Sequence, residues 1–435
     1  MVNPPSALVV VARSVPMTRT VAPARGLAVS STTVPLTKNV LANVPGFYYA
    51  CCVPSKTSCT FAYRFFEQVL KTTMAQQDRI IRILVVGCGN MGASHAHAYH
   101  EMEEFEICGL VSTGESKVKL NAQLGAVYPL YSDFSEALAD TRPDAVCIST
   151  YPDTHETYAI QAMEAGCHVF IEKPLADSVQ GAERVAAVAM RTGKKLVVGY
   201  ILRYHPSWQR FIELSSELGK PLVMRMNLNQ QSHGNMWNVH RNLMKSLSPI
   251  VDCGVHYIDV MCQMTGSRPV QVNSVGARLT DDIPESSYNY GQLQIRFEDG
   301  SVGWYEAGWG PMISETAFFI KDVIGPKGAV SIVAREAGGA GKSDTVASHT
   351  QTESLRLHHA DIDESNQFTR PDEWIDLTDE PDHQELCNRE QRFFLKAIQE
   401  DLDLAEMTEH ALNSLRIAFA CDESVRTGQP VTLNQ

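Results

Sequence analysis

The segment Ser248 to Gly266 carries the densest chemical signal in the chain. Asp252, His256, Asp259 and Gln263 fall at i, i+4, i+7 and i+11, one continuous face if the segment is helical. Ser248 suits the N-cap, Pro249 the first helical position and Gly266 the terminator. Positions 249 to 265 hold no Lys, Glu or Arg, the residues that solvated faces usually carry. The stripe therefore reads as the lining of an internal cleft, against the competing reading of an exposed polar face. A histidine one turn from an aspartate can be oriented by the carboxylate, which also stabilises the imidazolium. Asp252 and His256 are thus candidates for proton transfer, and Asp259 for a structural part. No third ligand stands at a recognisable spacing, so no metal is expected.

A second candidate is Lys173 in Glu172-Lys173-Pro174, directly after the apolar run His168–Ile171. The C-terminal end of a strand in an open parallel sheet faces the ligand crevice, which would aim Lys173 at a substrate. A third is Gly87-Cys88-Gly89-Asn90-Met91-Gly92, a GxGxxG between an apolar strand and a helical pattern. There Gly87 permits the tight turn, Gly89 lets backbone N–H groups approach a pyrophosphate and Gly92 lets helix and strand pack closely. The alternative is a merely structural glycine turn. The next strand runs into Ser112-Thr113-Gly114, with Lys117 beyond. A small hydroxyl where NAD sites place a carboxylate, with a cation nearby to pair with a 2′-phosphate, favours NADP over NAD; Lys117 as a solvated helix residue is the rival reading.

These groups need elements to position them. Apolar runs at Ile81–Val86, Glu106–Val111, Ala145–Ser149, His168–Ile171 and Leu196–Gly199 alternate with helical stretches near 92–102, 115–124, 155–165 and 177–192. Buried strands alternating with helices specify a doubly wound parallel sheet, a Rossmann arrangement. Beyond residue 200 longer strands are expected at Leu222–Gln230, Gln271–Leu279, Gly291–Phe297, Ser301–Ala307 and Ala317–Ile324, with Glu298-Asp299-Gly300 as a hairpin turn. The fold class is α/β, with a second α/β domain built on an open, mostly antiparallel sheet. Residues 335–352 read as an exposed loop, and helices near 384–400 and 405–427 close the chain. The expected divisions are 1–75, an arm or leader; 76–200, cofactor binding; and 201–435, substrate binding and oligomerisation.

Composition limits the partners. The net charge is −13 with no basic face, which argues against nucleic acid, and no run of 18 apolar residues is present to span a membrane. The eleven cysteines show no CxxC spacing and suit buried thiols in a reducing, cytoplasmic setting. Residues 1–73 hold seven basic residues (Arg13, Arg19, Arg25, Lys38, Lys56, Arg64, Lys71) against one acidic residue, Glu67. A mitochondrial presequence would look similar, but prolines at 4, 5, 16, 23 and 35 oppose its amphipathic helix, leaving a disordered arm or a leader upstream of Met74 as the preferred reading.

Taken in order, these segments resemble the glucose-fructose oxidoreductase, inositol dehydrogenase and MocA (Gfo/Idh/MocA) family from about Ile81 to Leu433. The resemblance rests on the GxGxxG, Ser149-Thr150-Tyr151-Pro152 with His155, Ala165-Gly166-Cys167-His168-Val169 leading into Glu172-Lys173-Pro174, Gly199-Tyr200 with Arg203, the Asp252 to Asp259 segment, and Glu423-Ser424 with Thr427-Gly428-Gln429-Pro430-Val431. It implies an NAD(P)-dependent oxidoreductase of sugars, cyclic polyols and related carbonyl compounds, assembled as a homodimer or homotetramer through the open sheet. It also implies that Lys173 hydrogen-bonds the reacting oxygen, His256 exchanges its proton, and Asp252 helps position both. Asn90, Met91, Thr150, His155 and Glu172 would join the glycines around the cofactor, Tyr200 and Arg203 would face the substrate, and Lys173-Pro174 would be cis. Two departures stand out: Asp153 replaces the usual Asn in a loop one residue short, and residues 1–73 have no counterpart.

Further wall candidates are Tyr204, His205, His233, Trp237, His240 and Trp309, since aromatic and imidazole groups suit sugar faces and hydroxyls. Arg203 either attracts a carboxylate, which keeps uronate reduction open, or is paired internally. A dihydrodiol or pentose dehydrogenase is the alternative enzyme. A non-catalytic cofactor-binding regulator is the alternative of another class, and it would be expected to lose part of the Lys, Asp and His set that this sequence keeps.

Overall fold

A computed structural model of the chain describes residues 79–314, 320–333, 352, 354–376 and 380–433. The first sheet has six strands, β1 (Ile81–Val86), β2 (Phe105–Val111), β3 (Leu130–Tyr131), β4 (Ala145–Ile148), β5 (His168–Ile171) and β6 (Leu196–Val198), in the order β3-β2-β1-β4-β5-β6. Every pairing within it is parallel. Its central strands β1, β4 and β5 are almost wholly buried, which is why they read as unbroken apolar runs. The order reverses between β1 and β4, so the crevice of a doubly wound sheet opens over their C-terminal ends. Helices α1 (Asn90–Glu101), α2 (Ser116–Gln123), α3 (Phe134–Thr141), α4 (His155–Glu164) and α5 (Val179–Thr192) make the crossovers. The sequence pattern missed β3 and α3, because two residues are too few to show a period and α3 follows them at once.

The second sheet has nine strands, in the order β14-β13-β12-β11-β7-β10-β9-β8-β15. They are β7 (Val223–Gln231), β8 (Pro269–Ala277), β9 (Tyr290–Phe297), β10 (Val302–Gly310), β11 (Lys321–Gly325), β12 (Gly328–Val333), β13 (Ser354–His359), β14 (Glu373–Asp376) and β15 (Val431–Thr432). β7 and β10 run parallel and the other pairs antiparallel, so the sheet is mixed but mostly antiparallel as expected. Gly300, at φ +84, makes the β9–β10 hairpin. The strand expected at Ala317–Ile324 begins at Lys321, residues 315–319 lying outside the described residues. The expected 335–352 loop and the 1–73 arm also fall outside them, Thr352 excepted.

Two helices not anticipated, α6 (Pro206–Glu217) and α7 (Gly234–Leu243), flank β7. α8 (Pro249–Thr265) is the predicted helix, capped by Ser248 on Val251 N–H and ended by Gly266 at φ +58. It packs with α10 (Ala405–Thr427) on the sheet's inner face, where Ile250, Val251, Ile258, Leu293, Ile295, Tyr305, Leu412 and Leu415 share one core. The remaining helix, α9 (His383–Gln399), instead lies on the first sheet, its Phe394, Leu395 and Ala397 packed with Ile81, Ile83 and Val85 of β1. Among the described residues no helix is long and apolar enough to cross a membrane.

Candidate active site

The loops at the ends of β1, β2, β4 and β5 form the floor of the crevice. Gly87 has φ +91, and a Cβ there would run into the Ser149 carbonyl; a Cβ on Gly92 would run into the Gly87 carbonyl. Gly89 is different: a Cβ there would meet nothing within 4 Å. The turn thus needs glycine at two positions for its own geometry and offers open space at the third. Behind it, α1 starts without a side-chain cap and without an acidic residue in its first turn, so its N–H groups and positive dipole end are left for an anion. Asn90 is exposed and Met91 half-buried at that end. These residues fit a dinucleotide pyrophosphate.

At the end of β2, Ser112 Oγ lies 2.8 Å from Ser116 Oγ, and Lys117 Nζ donates to Ser112 O (2.6 Å), Ser132 Oγ (3.0 Å) and Gly114 O (3.3 Å). Lys117 is therefore neither freely solvated nor aimed outward; it is folded back over its own loop. Thr150 Oγ1 sits 2.6 Å from Thr154 Oγ1. His155 is fully buried, with Nδ1 2.8 Å from Pro174 O and Nε2 3.1 Å from Thr150 O. Burial pushes its pKa below the usual histidine value. Both His155 ring nitrogens thus lie against backbone carbonyls, one in the loop after β4 and one in the loop after β5, and the single N–H of the neutral ring can donate to one of them.

Lys173 and α8 meet across the crevice. The Lys173-Pro174 bond is cis, as the resemblance implied. Lys173 Nζ donates to Asp252 O at 3.0 Å and Asp252 Oδ1 at 3.1 Å, with side chains 19% and 14% exposed. Burial opposes both charges, but the partners win: Lys173 is held above the usual lysine value chiefly by Asp252, and Asp252 below the usual carboxylate value chiefly by Lys173. An ammonium has three N–H donors, so one remains for a substrate oxygen. Cys253 Sγ, 3.4 Å from Asp252 Oδ2, contacts the other carboxylate oxygen. His256, one turn along α8, is half-buried, its ring 5.7 Å from that of Tyr200 and edge-on to it.

Two expected substrate contacts are placed otherwise. Arg203 closes a fork on Asp259, Nε to Oδ2 at 2.8 Å and Nη2 to Oδ1 at 2.5 Å, with Asp259 only 2% exposed. That is the internally paired reading, and Gln263 Nε2 adds a further bond to Asp259 Oδ2 at 2.8 Å. Tyr200 spends its hydroxyl on Ser414 Oγ (2.6 Å), leaving only its ring toward His256. Among the wall candidates, His240 stacks on Trp309 at 4.2 Å and 9°, and Trp309 Nε1 donates to Gln230 Oε1 at 2.8 Å beside Cys253. Burial takes the His240 pKa down to about 4, so the ring is neutral. Trp237 Nε1 reaches Asp282 at 3.5 Å, His233 stands at the start of α7, Tyr204 packs on Phe393, and His205 caps α6 through Ser207 N–H. His205 is thereby a structural residue.

Comparison with known proteins follows the same division. The model of an oxidoreductase family with NAD-binding Rossmann fold matches residues 81–200, and that of the GFO/IDH/MocA C-terminal domain matches residues 210–330. A 4-carboxy-2-hydroxymuconate-6-semialdehyde dehydrogenase of Sphingobium sp. strain SYK-6 is 30% identical over 233 residues, covering 51% of this chain and 70% of that protein. An inositol 2-dehydrogenase of Klebsiella pneumoniae is 26% identical over 248 residues, covering 55% and 67%. The crystal structure of scyllo-inositol dehydrogenase from Lactobacillus casei with bound NAD(H) and scyllo-inositol shares the fold, with TM-score 0.63 at 20% identity over 81% of this chain and 99% of that one.

Proposed function

Because the chain belongs to the Gfo/Idh/MocA oxidoreductases, we propose that it is an NAD(P)-dependent dehydrogenase that interconverts a secondary hydroxyl and a carbonyl on a sugar or cyclic polyol, with Lys173, Asp252 and His256 as its catalytic set. The observation that carries this reading is the Lys173–Asp252 ion pair at the mouth of the crevice, one helical turn from His256. Lys173 enters as an ammonium: its free N–H holds the substrate oxygen and stabilises the negative charge that grows there during oxidation. Asp252 keeps that ammonium charged and in place. His256 takes the hydroxyl proton, or returns it in reduction. The nicotinamide, when bound, supplies the hydride chemistry. Relatives named for inositol and D-glucoside support the substrate class. With Arg203 committed to Asp259, the uronate reading loses the cation on which it rested.

NADP is the preferred cofactor in this reading, supported by Ser112 in the place of a carboxylate; Lys117 adds no support, since its three N–H donors go to Ser112 O, Gly114 O and Ser132 Oγ. A homodimer or homotetramer is supported by the outer face of the second sheet, where Val223, Val275, Val302 and Ile324 are exposed. A cytoplasmic setting is supported by the eight cysteines among the described residues, all free thiols. The test is the initial rate with NADP and NAD in parallel over inositols, aldoses, dihydrodiols and uronates. His256→Ala should lower kcat by about 10² to 10⁴ while leaving cofactor affinity intact. Undiminished turnover in that variant would remove His256 from the mechanism.

A further inference from the structure

Helix α9 comes late in the chain, yet its polar side reaches beneath the catalytic loop. Tyr99 of α1 donates its hydroxyl to Gln391 Oε1 at 2.5 Å. Gln391 Nε2 lies 2.9 Å from His95 Nδ1, and His95 Nε2 lies 2.7 Å from Glu172 Oε1. Glu172 Oε2 then accepts the backbone N–H of Lys173 at 3.2 Å. Tyr99, His95 and Gln391 are fully buried. Gly199, at the end of β6, leaves room for the carboxylate, since a Cβ there would stand 3.1 Å from Glu172 Oε1.

The polarity of this chain of bonds follows from the donors. An amide nitrogen only donates, so His95 Nδ1 is the lone-pair nitrogen and Nε2 carries the proton that it gives to Glu172. Burial alone would lift Glu172, but the His95 bond, aided by the Lys173 charge, holds it below the usual carboxylate value. An ionised Glu172 can then accept from Lys173 N–H. On the other side of the loop, Pro174 O is gripped by His155 at 2.8 Å. The backbone of residues 172–174 is thus held from both flanks, and a lysine with four rotatable side-chain bonds needs such a base to present its ammonium repeatedly at one point.

We propose that Gln391 and His95 are positioning residues for the reaction: by fixing the His95 tautomer they orient Glu172 and, through it, Lys173, so that α9 belongs to the catalytic apparatus. This rests on the catalytic reading of Lys173 above. Gln391→Met, of similar volume, removes both bonds. It should lower kcat by about 10- to 100-fold, measured well below its Tm, with cofactor Kd within about twofold of wild type. Displacing the Glu172 charge also weakens one of the groups that hold Lys173 up alongside Asp252. The alkaline limb of kcat/KM should therefore move to lower pH. His95→Gln, whose Nε2 can still donate to Glu172, should recover most of the rate that His95→Leu loses.

If both His95 variants and Gln391→Met keep wild-type kcat and pH profile while only Tm falls, the network is structural and the proposal fails. That outcome leaves the loss in His256→Ala untouched, so the two failures are separable. One equivalent of bound transition metal in the purified protein, lost in Cys387→Ala, would also overturn it. His95, Cys387 and Glu390 bring donor atoms within 4.8 Å of one another, and an ion held there would take a His95 nitrogen from its partner.

Discussion

Two buried carboxyl groups flank the Glu172-Lys173 loop in opposite chemical states. Asp252, on the crevice side, meets the Lys173 ammonium and stays ionised despite its burial. Glu390, on the α9 side, is fully buried with neither carboxyl oxygen hydrogen-bonded, and burial and then the charge of Glu172 push its pKa well above the carboxylate range. The first is a charge held by its partner; the second is an acid kept neutral. The difference teaches that burial alone does not set the charge: Asp252 keeps its charge through Lys173 and Glu172 through His95, whereas Glu390 has no hydrogen-bond partner and is neutral.

The largest effect should come from splitting the crevice pair. Lys173→Met leaves Asp252 ionised without its partner, which for a buried pair costs about 3–5 kcal/mol. Lys173→Met/Asp252→Leu, removing both charges, should regain most of that loss, as urea unfolding at pH 7 would read. A double variant no more stable than the single would mean that the crevice is wet enough to carry a lone charge, and the contrast with Glu390 would collapse.

The same contrast explains what the sequence reveals. Strands β1, β4 and β5 are buried on both faces and announce themselves as apolar runs, and α8 carries its caps and its polar stripe within 19 residues from Ser248 to Gly266. Lys173, Asp252 and His256 stand out in sequence because each candidate has local context, and the structure brings Lys173 within 3.1 Å of Asp252. The Arg203 fork has no local signature, since one guanidinium looks the same in sequence whether it meets Asp259 or a ligand. His95 and Gln391 were invisible: they sit 296 residues apart and meet only because α9 returns to the first sheet. No period or motif encodes such a return. β3 and β15, two residues each, are likewise too short to leave a pattern.

A smaller effect should sharpen the comparison from the neutral side. Glu390 has a folded pKa above its unfolded one, so at pH between the two the folded chain holds one proton more than the unfolded chain. Its stabilising share is full below the unfolded value and is lost as pH rises toward the folded value. Glu390→Gln, neutral at every pH, should therefore be more stable than wild type at pH 8, by about 2 °C in Tm or more, and the gap should narrow toward pH 5. A gap that widened on acidification would mean that Glu390 is ionised and partnered.

The smallest effect tests how firmly Asp252 is held without its ammonium. Cys253 is 7% exposed, and burial followed by the Asp252 charge raises its thiol pKa far enough that it stays protonated and can donate to Oδ2. A thiol is a weak donor, and Lys173 already holds Asp252 Oδ1 and the Asp252 carbonyl. Cys253→Ala should cost about 1 kcal/mol in unfolding free energy and reduce kcat by no more than about fivefold. A loss as large as that of Lys173→Met would shift the anchor of Asp252 from the lysine to the thiol, and Lys173 would then depend on Cys253 for its place.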